Sequence, residues 1–151
     1  MPNLKRVTDI MTKNPITVID DTNLQEACKI LDNNTFRHLP VVDRQGHILG
    51  ILSDRDIRSI AVTLELLNSA YEVESDKHQT VVVNEVMTMS PQLIQEDTTV
   101  LEAAQIIINE KVGALPVVNT LEEKTLVGIL SYVDILKFYV MNSSNLPNTI
   151  F

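Results

Sequence analysis

The sequence has one cysteine, Cys28, three scattered histidines and no run of about eighteen apolar residues. A single cysteine excludes an internal disulfide, and no Cys or His spacing resembles a metal cage. With no long apolar run, and no signal-type stretch after Met1–Arg6, the chain is expected in the cytoplasm, away from membranes. Basic residues are also scarce, 12 Lys and Arg against 20 Asp and Glu for a formal charge of −8. That balance opposes binding to nucleic-acid phosphates or to anionic lipid, so any anionic ligand needs a local arrangement. There is no Walker loop and no nucleophile elbow, and His38 beside Arg37 is the one place with catalytic potential. An enzyme is therefore not expected. A hydrophobic content of 44% with 21% charged residues is a globular balance.

What the sequence does contain is a repeat. Shifted by 76 residues, Val7–Asp43 aligns without a gap on Val83–Asn119, and 14 of the 37 pairs are identical. They include Met11/Met87, Thr12/Thr88, Pro15/Pro91 and the run Leu39–Val42 against Leu115–Val118. Two residues then enter the second copy, and Gly50-Ile51-Leu52-Ser53 matches Gly128-Ile129-Leu130-Ser131 at an offset of 78. An insertion between matched apolar runs belongs in a hairpin tip, which places turns at Asp43–His47 and Asn119–Lys124.

Upstream of each hairpin the apolar positions Leu24, Ala27, Ile30, Leu31 and Val100, Ala103, Ala104, Ile107 predict amphipathic helices. Asn23 with Glu26, and Thr99 with Glu102, have capping-box spacing. Cys28 lies on the first of these helices and reads as a core residue rather than a reactive thiol. Ile16–Ile19 and Gln92–Gln95 read as first strands, and Asp54–Ile60 and Val133–Met141 as closing helices. Each copy is thus strand, helix, strand, strand, helix. About 50 residues make a small core, so the copies are expected to pack through their sheets with pseudo-two-fold symmetry in an α/β (α+β) fold. The expected division is 1–60 and 83–141 for the two copies, 61–82 for a connecting helix and linker, and 142–151 for a flexible tail. Met11 and Met87 are expected in the core. Gly50 and Gly128 are expected to permit close backbone approach or an unusual dihedral.

Several motifs resemble the cystathionine-β-synthase (CBS) domain pair over essentially the whole chain. They are Asp9–Pro15 and Glu85–Pro91, Arg37–Asp43 and Gly113–Asn119, and Gly50–Asp56 and Gly128–Asp134. Within such pairs, Ser53–Ser59 and the connector are similar to acetoin-utilisation (AcuB-like) proteins. The resemblance implies a nucleotide in the cleft between the copies, at two pseudo-symmetric sites that borrow from both. In one, Asp134 accepts from the ribose hydroxyls, Ser131 donates to ribose or phosphate, Thr12, Thr17 and the backbone near Val18 line the base, Phe36 stands beside it and His38 faces phosphate. In the other, Ser53 and Asp56 take the ribose roles, Thr88 and Leu93 line the base side, and Gly113 and Ala114 replace the central-strand contacts. The ligand expected is AMP, ADP or ATP, with S-adenosylmethionine or NAD as alternatives and no separate cofactor. A homodimer is expected, with an enzyme or transporter as the regulated partner. A dimeric scaffold with degenerate pockets is the competing function.

The residues have a chemical logic of their own. A carboxylate is an acceptor that suits a vicinal diol, and a serine three residues earlier stands at the same helix N-terminus, where free N–H groups can hold phosphate. Serine followed three residues later by an acid is equally a capping box, and both roles can coexist. The copies differ in charge: Arg37, His38 and Arg55 are matched by Gly113, Ala114 and Val133. Phosphates are therefore expected nearest the first copy, with one strong pocket and one weak one, unless these basic groups are only solvated surface.

Overall fold

In the computed structural model, which describes residues 5–61 and 81–143, the units in space are divided differently from the repeats in sequence. One unit is Met1–Pro15 with Gln92–Phe151, and the other is Ile16–Pro91. Most of the expected linker 61–82 and tail 142–151, including the connecting helix, lies outside the described residues. Among the described residues no helix is long and apolar enough to cross a membrane.

The Ile16–Pro91 unit contains β2 (Val18–Ile19), α1 (Leu24–Asp32), β3 (His38–Val42), β4 (Ile48–Ser53), α2 (residues 54–61) and β5 (Thr88–Met89). Its sheet has the order β2-β3-β4-β5, with β2 parallel to β3 and the other pairs antiparallel. The other unit contains β1 (Thr12–Lys13), β6 (Ile94–Gln95), α3 (Val100–Glu110), β7 (Ala114–Val118), β8 (Leu126–Ser131) and α4 (Tyr132–Met141), and its sheet runs β1-β8-β7-β6. The strand-helix-strand-strand-helix order expected of each copy is present.

The sequence did not foresee β1 and β5. Each copy's opener forms a two-residue edge strand on the sheet of the other copy: Thr12 pairs with Ile129, and Thr88 with Ile51. The openers also dock by their backbones. Val7 N–H donates to Thr98 O at 2.9 Å and Val83 N–H to Thr22 O at 2.8 Å. Val7 and Val83 are fully buried in the cores they join. Asn14 and Ser90 then take left-handed φ values of 47° and 49° ahead of Pro15 and Pro91, ending both edge strands alike.

Each core lies between a sheet face and its helices. Leu24, Ala27 and Leu31 of α1 pack with Leu39, Val41 and Leu52 in one, and Val100, Ala103 and Ile135 with Leu115, Val117 and Leu130 in the other. A fully buried side chain of this size contributes about 1.5–3 kcal/mol, so the matched apolar positions account for both cores. Cys28 is partly buried against the first core, and burial, with Asp32 nearby, raises its thiol pKa and keeps it protonated.

The two helix starts differ. Thr99 closes the expected capping box, its Oγ1 accepting from Glu102 N–H at 3.1 Å while its own N–H donates to Glu102 Oε2 at 2.9 Å. Asn23 caps through Gln25 N–H at 2.8 Å instead, and Glu26 makes no reciprocal bond. The longer amide side chain reaches an earlier N–H. The hairpin tips fall where the insertion placed them. Asp43 accepts from His47 N–H and, with the His47 ring and Gln45 N–H adding to it, its carboxyl is held below the usual range, and Gly46 has φ 88°.

Candidate functional site

Ser53 ends β4 and is the first residue of a turn into α2. Its Oγ accepts from Asp56 N–H at 3.1 Å, and its N–H donates to Asp56 Oδ2 at 3.0 Å. Ser131 and Asp134 repeat this at the start of α4, with distances of 3.2 and 2.9 Å. Both serine-aspartate pairs are therefore capping boxes. Capping does not exhaust them. Each serine uses its oxygen as acceptor and keeps its O–H proton to donate, and each aspartate uses one carboxylate oxygen and keeps the other. All four side chains are partly exposed, so a diol and an oxyanion can reach them at a helix N-terminus.

The sheets place the opener threonines beside these turns. Thr88 lies opposite Ile51, two residues before Ser53, and Thr12 lies opposite Ile129, two residues before Ser131. Both are exposed. The expected grouping of Thr88 with Ser53 and Asp56, and of Thr12 with Ser131 and Asp134, is thus reproduced within single units.

The remaining candidates divide as follows. Thr17, Val18, Phe36, Arg37, His38 and Arg55 belong to the Ile16–Pro91 unit, and Leu93, Gly113 and Ala114 to the other. Val18 is buried opposite Val41, which leaves its side chain to the core. Phe36 is half-buried against the first core. Ala114 lies opposite Ser131, as His38 does opposite Ser53. Among the described residues no group of three or more His, Cys, Asp or Glu side chains could hold a metal.

Gly50 and Gly128 have the close approach expected of them and no positive φ. A Cβ on Gly50 would stand 2.7 Å from both Met87 Sδ and Thr88 O, and one on Gly128 would stand 2.5 Å from Met11 Sδ and 2.9 Å from Thr12 O. The opener strand and its methionine occupy that space. Met87 is buried and Met11 packs against the other core, so both are packing residues.

Arginines stand at the serine-aspartate turn in one unit and not in the other. Asp54, the first residue of α2, lies 3.6 Å from Arg37 and 3.9 Å from Arg58, and Arg55 is exposed beside them. The positions matching Arg37, His38, Asp54, Arg55 and Arg58 are Gly113, Ala114, Tyr132, Val133 and Leu136. Sequence reasoning passed over Asp54 and Arg58. Their four-residue separation on a helix was the available signal.

Burial lowers the pKa of His38; Asp54 and Asp56 oppose the shift and Arg37 adds to it. A histidine whose folded pKa is lowered binds protons more readily when unfolded, so its contribution to stability is complete above the unfolded value near 6.5 and is lost as pH falls toward the folded value. Urea midpoints at pH 7.5 and 5.5 should therefore fall less on acidification for His38→Gln than for the parent. An equal fall in both would show that His38 is not the group responsible.

The sequence model of the CBS domain matches residues 7–62 and 83–141. The chain belongs to the CBS domain family. Its two matches make it a CBS pair. It is 33% identical over 134 residues to a CBS domain-containing protein of Dictyostelium discoideum, covering 89% of this chain and 90% of that one. The structure of CBSX2 of Arabidopsis thaliana in complex with AMP is similar with a TM-score of 0.75 and 28% identity, over 92% of this chain and 98% of that one. The CBS pair of protein MJ0100, in complex with 5′-methylthioadenosine and S-adenosyl-L-methionine, gives 0.76 and 27% over 92% and 98%. An acetoin utilization protein (AcuB) of Vibrio cholerae has the same fold, with a TM-score of 0.74 and 27% identity over 92% and 94%, in keeping with the narrower resemblance. Three other curated relatives, enzymes by name, are much longer, and the chain spans only 23% of each.

Proposed function

We propose that this CBS pair is a regulatory sensor of adenine nucleotides, without catalysis of its own. The observation that carries the proposal is the pair of Ser-x-x-Asp turns, each keeping a hydroxyl donor and a carboxylate acceptor available beside an opener threonine. Asp56 and Asp134 accept from ribose hydroxyls, Ser53 and Ser131 donate to ribose or phosphate oxygens, and Thr12 and Thr88 stand on the base side. Arg37 and Arg55 supply charge for phosphate and His38 a neutral hydrogen-bonding ring, and their absence from the second repeat makes the two sites unequal. The similarity to pairs solved with AMP and with adenosyl ligands supports the adenosine part of this assignment.

Thermal unfolding with AMP, ADP, ATP, S-adenosylmethionine and NAD in turn tests it. A ligand at a hundredfold excess over its dissociation constant stabilises by about 2.7 kcal/mol, which raises Tm by several degrees. The expected result is a rise with an adenine mononucleotide. A flat response to AMP, ADP and ATP alike would sink the proposal.

A second function, a dimeric scaffold, is favoured by one specific observation. Leu101 and Ile108 on α3, and Leu136, Val140 and Met141 on α4, are between 52% and 81% exposed. Apolar helix faces of this kind are suited to pairing with a second copy. A dimer in sizing experiments, together with a flat nucleotide response, would favour the scaffold.

A further inference from the structure

We propose that Asp54 sets the ligand charge accepted at the Ser53–Asp56 turn, matching it to a monophosphate rather than a polyphosphate; this rests on the nucleotide function proposed above. Asp54 Oδ2 lies 3.6 Å from Arg37 Nη1 and 3.9 Å from Arg58 Nη2. Both separations are too long for a hydrogen bond. The carboxylate thus offsets the charge of two guanidinium groups while leaving their N–H donors open. The side chains of Arg37 and Arg58 are 71% and 73% exposed, so either can turn toward an oxyanion beside the start of α2.

With His38 neutral, Arg37 and Arg58 lie against Asp54, and the stretch Asp54–Arg58 with Arg37 counts three cations, Arg37, Arg55 and Arg58, against two anions, Asp54 and Asp56. Such a cluster has little positive charge to spare. Asp54 N–H and Asp56 N–H are taken by Arg37 O and Ser53 Oγ, so one phosphate is held by the Ser53 O–H and a single guanidinium. Each further phosphate adds charge that the Asp54 carboxylate repels, and the arginines it holds are partly neutralised already.

The fold does not need this carboxylate. Asp54 N–H donates to Arg37 O at 3.1 Å, and in the other unit Tyr132 N–H makes the same bond to Gly113 O at 3.0 Å with no charged side chain at either position. The backbone corner is therefore built without the ion pairs, and exposed pairs of this kind contribute little to stability. What Asp54 changes is the charge at the corner.

Calorimetric titration of the full chain with AMP and with ATP tests the inference on the parent, Asp54→Asn and Asp54→Tyr. The tyrosine variant copies the residue at the matching position of the other repeat and keeps the test decisive if the asparagine variant folds poorly. Both variants should improve ATP affinity relative to AMP by at least about fivefold, and the gain should shrink at roughly 0.5 M salt, where charges are screened within a few ångströms. An affinity ratio that stays at the parent value, or moves toward AMP, overturns the role of Asp54 and leaves the sensor function standing. A parent protein that binds neither nucleotide overturns the sensor function itself.

Discussion

Gly50→Ala and Gly128→Ala should each destabilise the protein by about 1–3 kcal/mol, the usual cost of forcing a methyl group into a packed space. The added Cβ on Gly50 would meet Thr88 O at 2.7 Å, and that on Gly128 would meet Thr12 O at 2.9 Å. A methionine can rotate away, but a strand carbonyl cannot move without giving up its pairing. The two-residue strands β5 and β1 would be pushed from their sheets, and Thr88 and Thr12 would leave their places beside Ser53 and Ser131. Weaker nucleotide affinity should accompany the lower stability. Gly46→Ala is the comparison: its space is open but its φ is 88°, so it should cost about 1 kcal/mol through backbone strain and leave affinity unchanged. Thermal and urea unfolding measure the first effect and calorimetry the second. Gly50→Ala and Gly128→Ala proteins as stable as the parent would show that the close approach of opener and strand does not constrain the fold.

Asp56→Asn and Asp134→Asn should separate the two roles of the serine-aspartate turns. Asparagine keeps an oxygen that can accept the serine N–H, so the cap is largely retained and the loss of stability should stay within about 1 kcal/mol. The second carboxylate oxygen, which would accept from the ribose diol, becomes an amide that carries no charge. A hydrogen bond to a charged group is worth about 1.5–3 kcal/mol, so affinity at the altered site should fall roughly tenfold to a hundredfold. The larger effect on total binding is expected from whichever site is the stronger, and the binding stoichiometry measured by calorimetry identifies it. If both variants bind AMP as tightly as the parent, the aspartates are caps and nothing more.

The places where sequence reasoning succeeded and failed have a common cause. The helices at Leu24–Asp32 and Val100–Glu110 were legible because apolar residues recur at helical spacing and because the same pattern appears twice. The hairpin tips were legible because the copies differ there by two residues. Asn23 was placed at the right helix start with the wrong partner, since spacing alone does not say how far an amide reaches. The opener strands were missed because two residues carry no periodicity, and their partners lie over a hundred positions away for Thr12 and 37 away for Thr88. Asp54 was missed because its importance lies in facing Arg37 across the end of a sheet.

The sequence by itself determined that this protein is built from one unit used twice, with two cores of matched composition and two Ser-x-x-Asp turns. Local periodicity and internal repetition suffice for that. Only the tertiary structure decided that each copy's opener completes the sheet of the other, that this opener is what fills the space beside each strand glycine, and that Asp54 lies against Arg37 and Arg58. Strand pairing and charge clustering depend on distances between residues remote in the chain, and those distances exist only once the chain has folded.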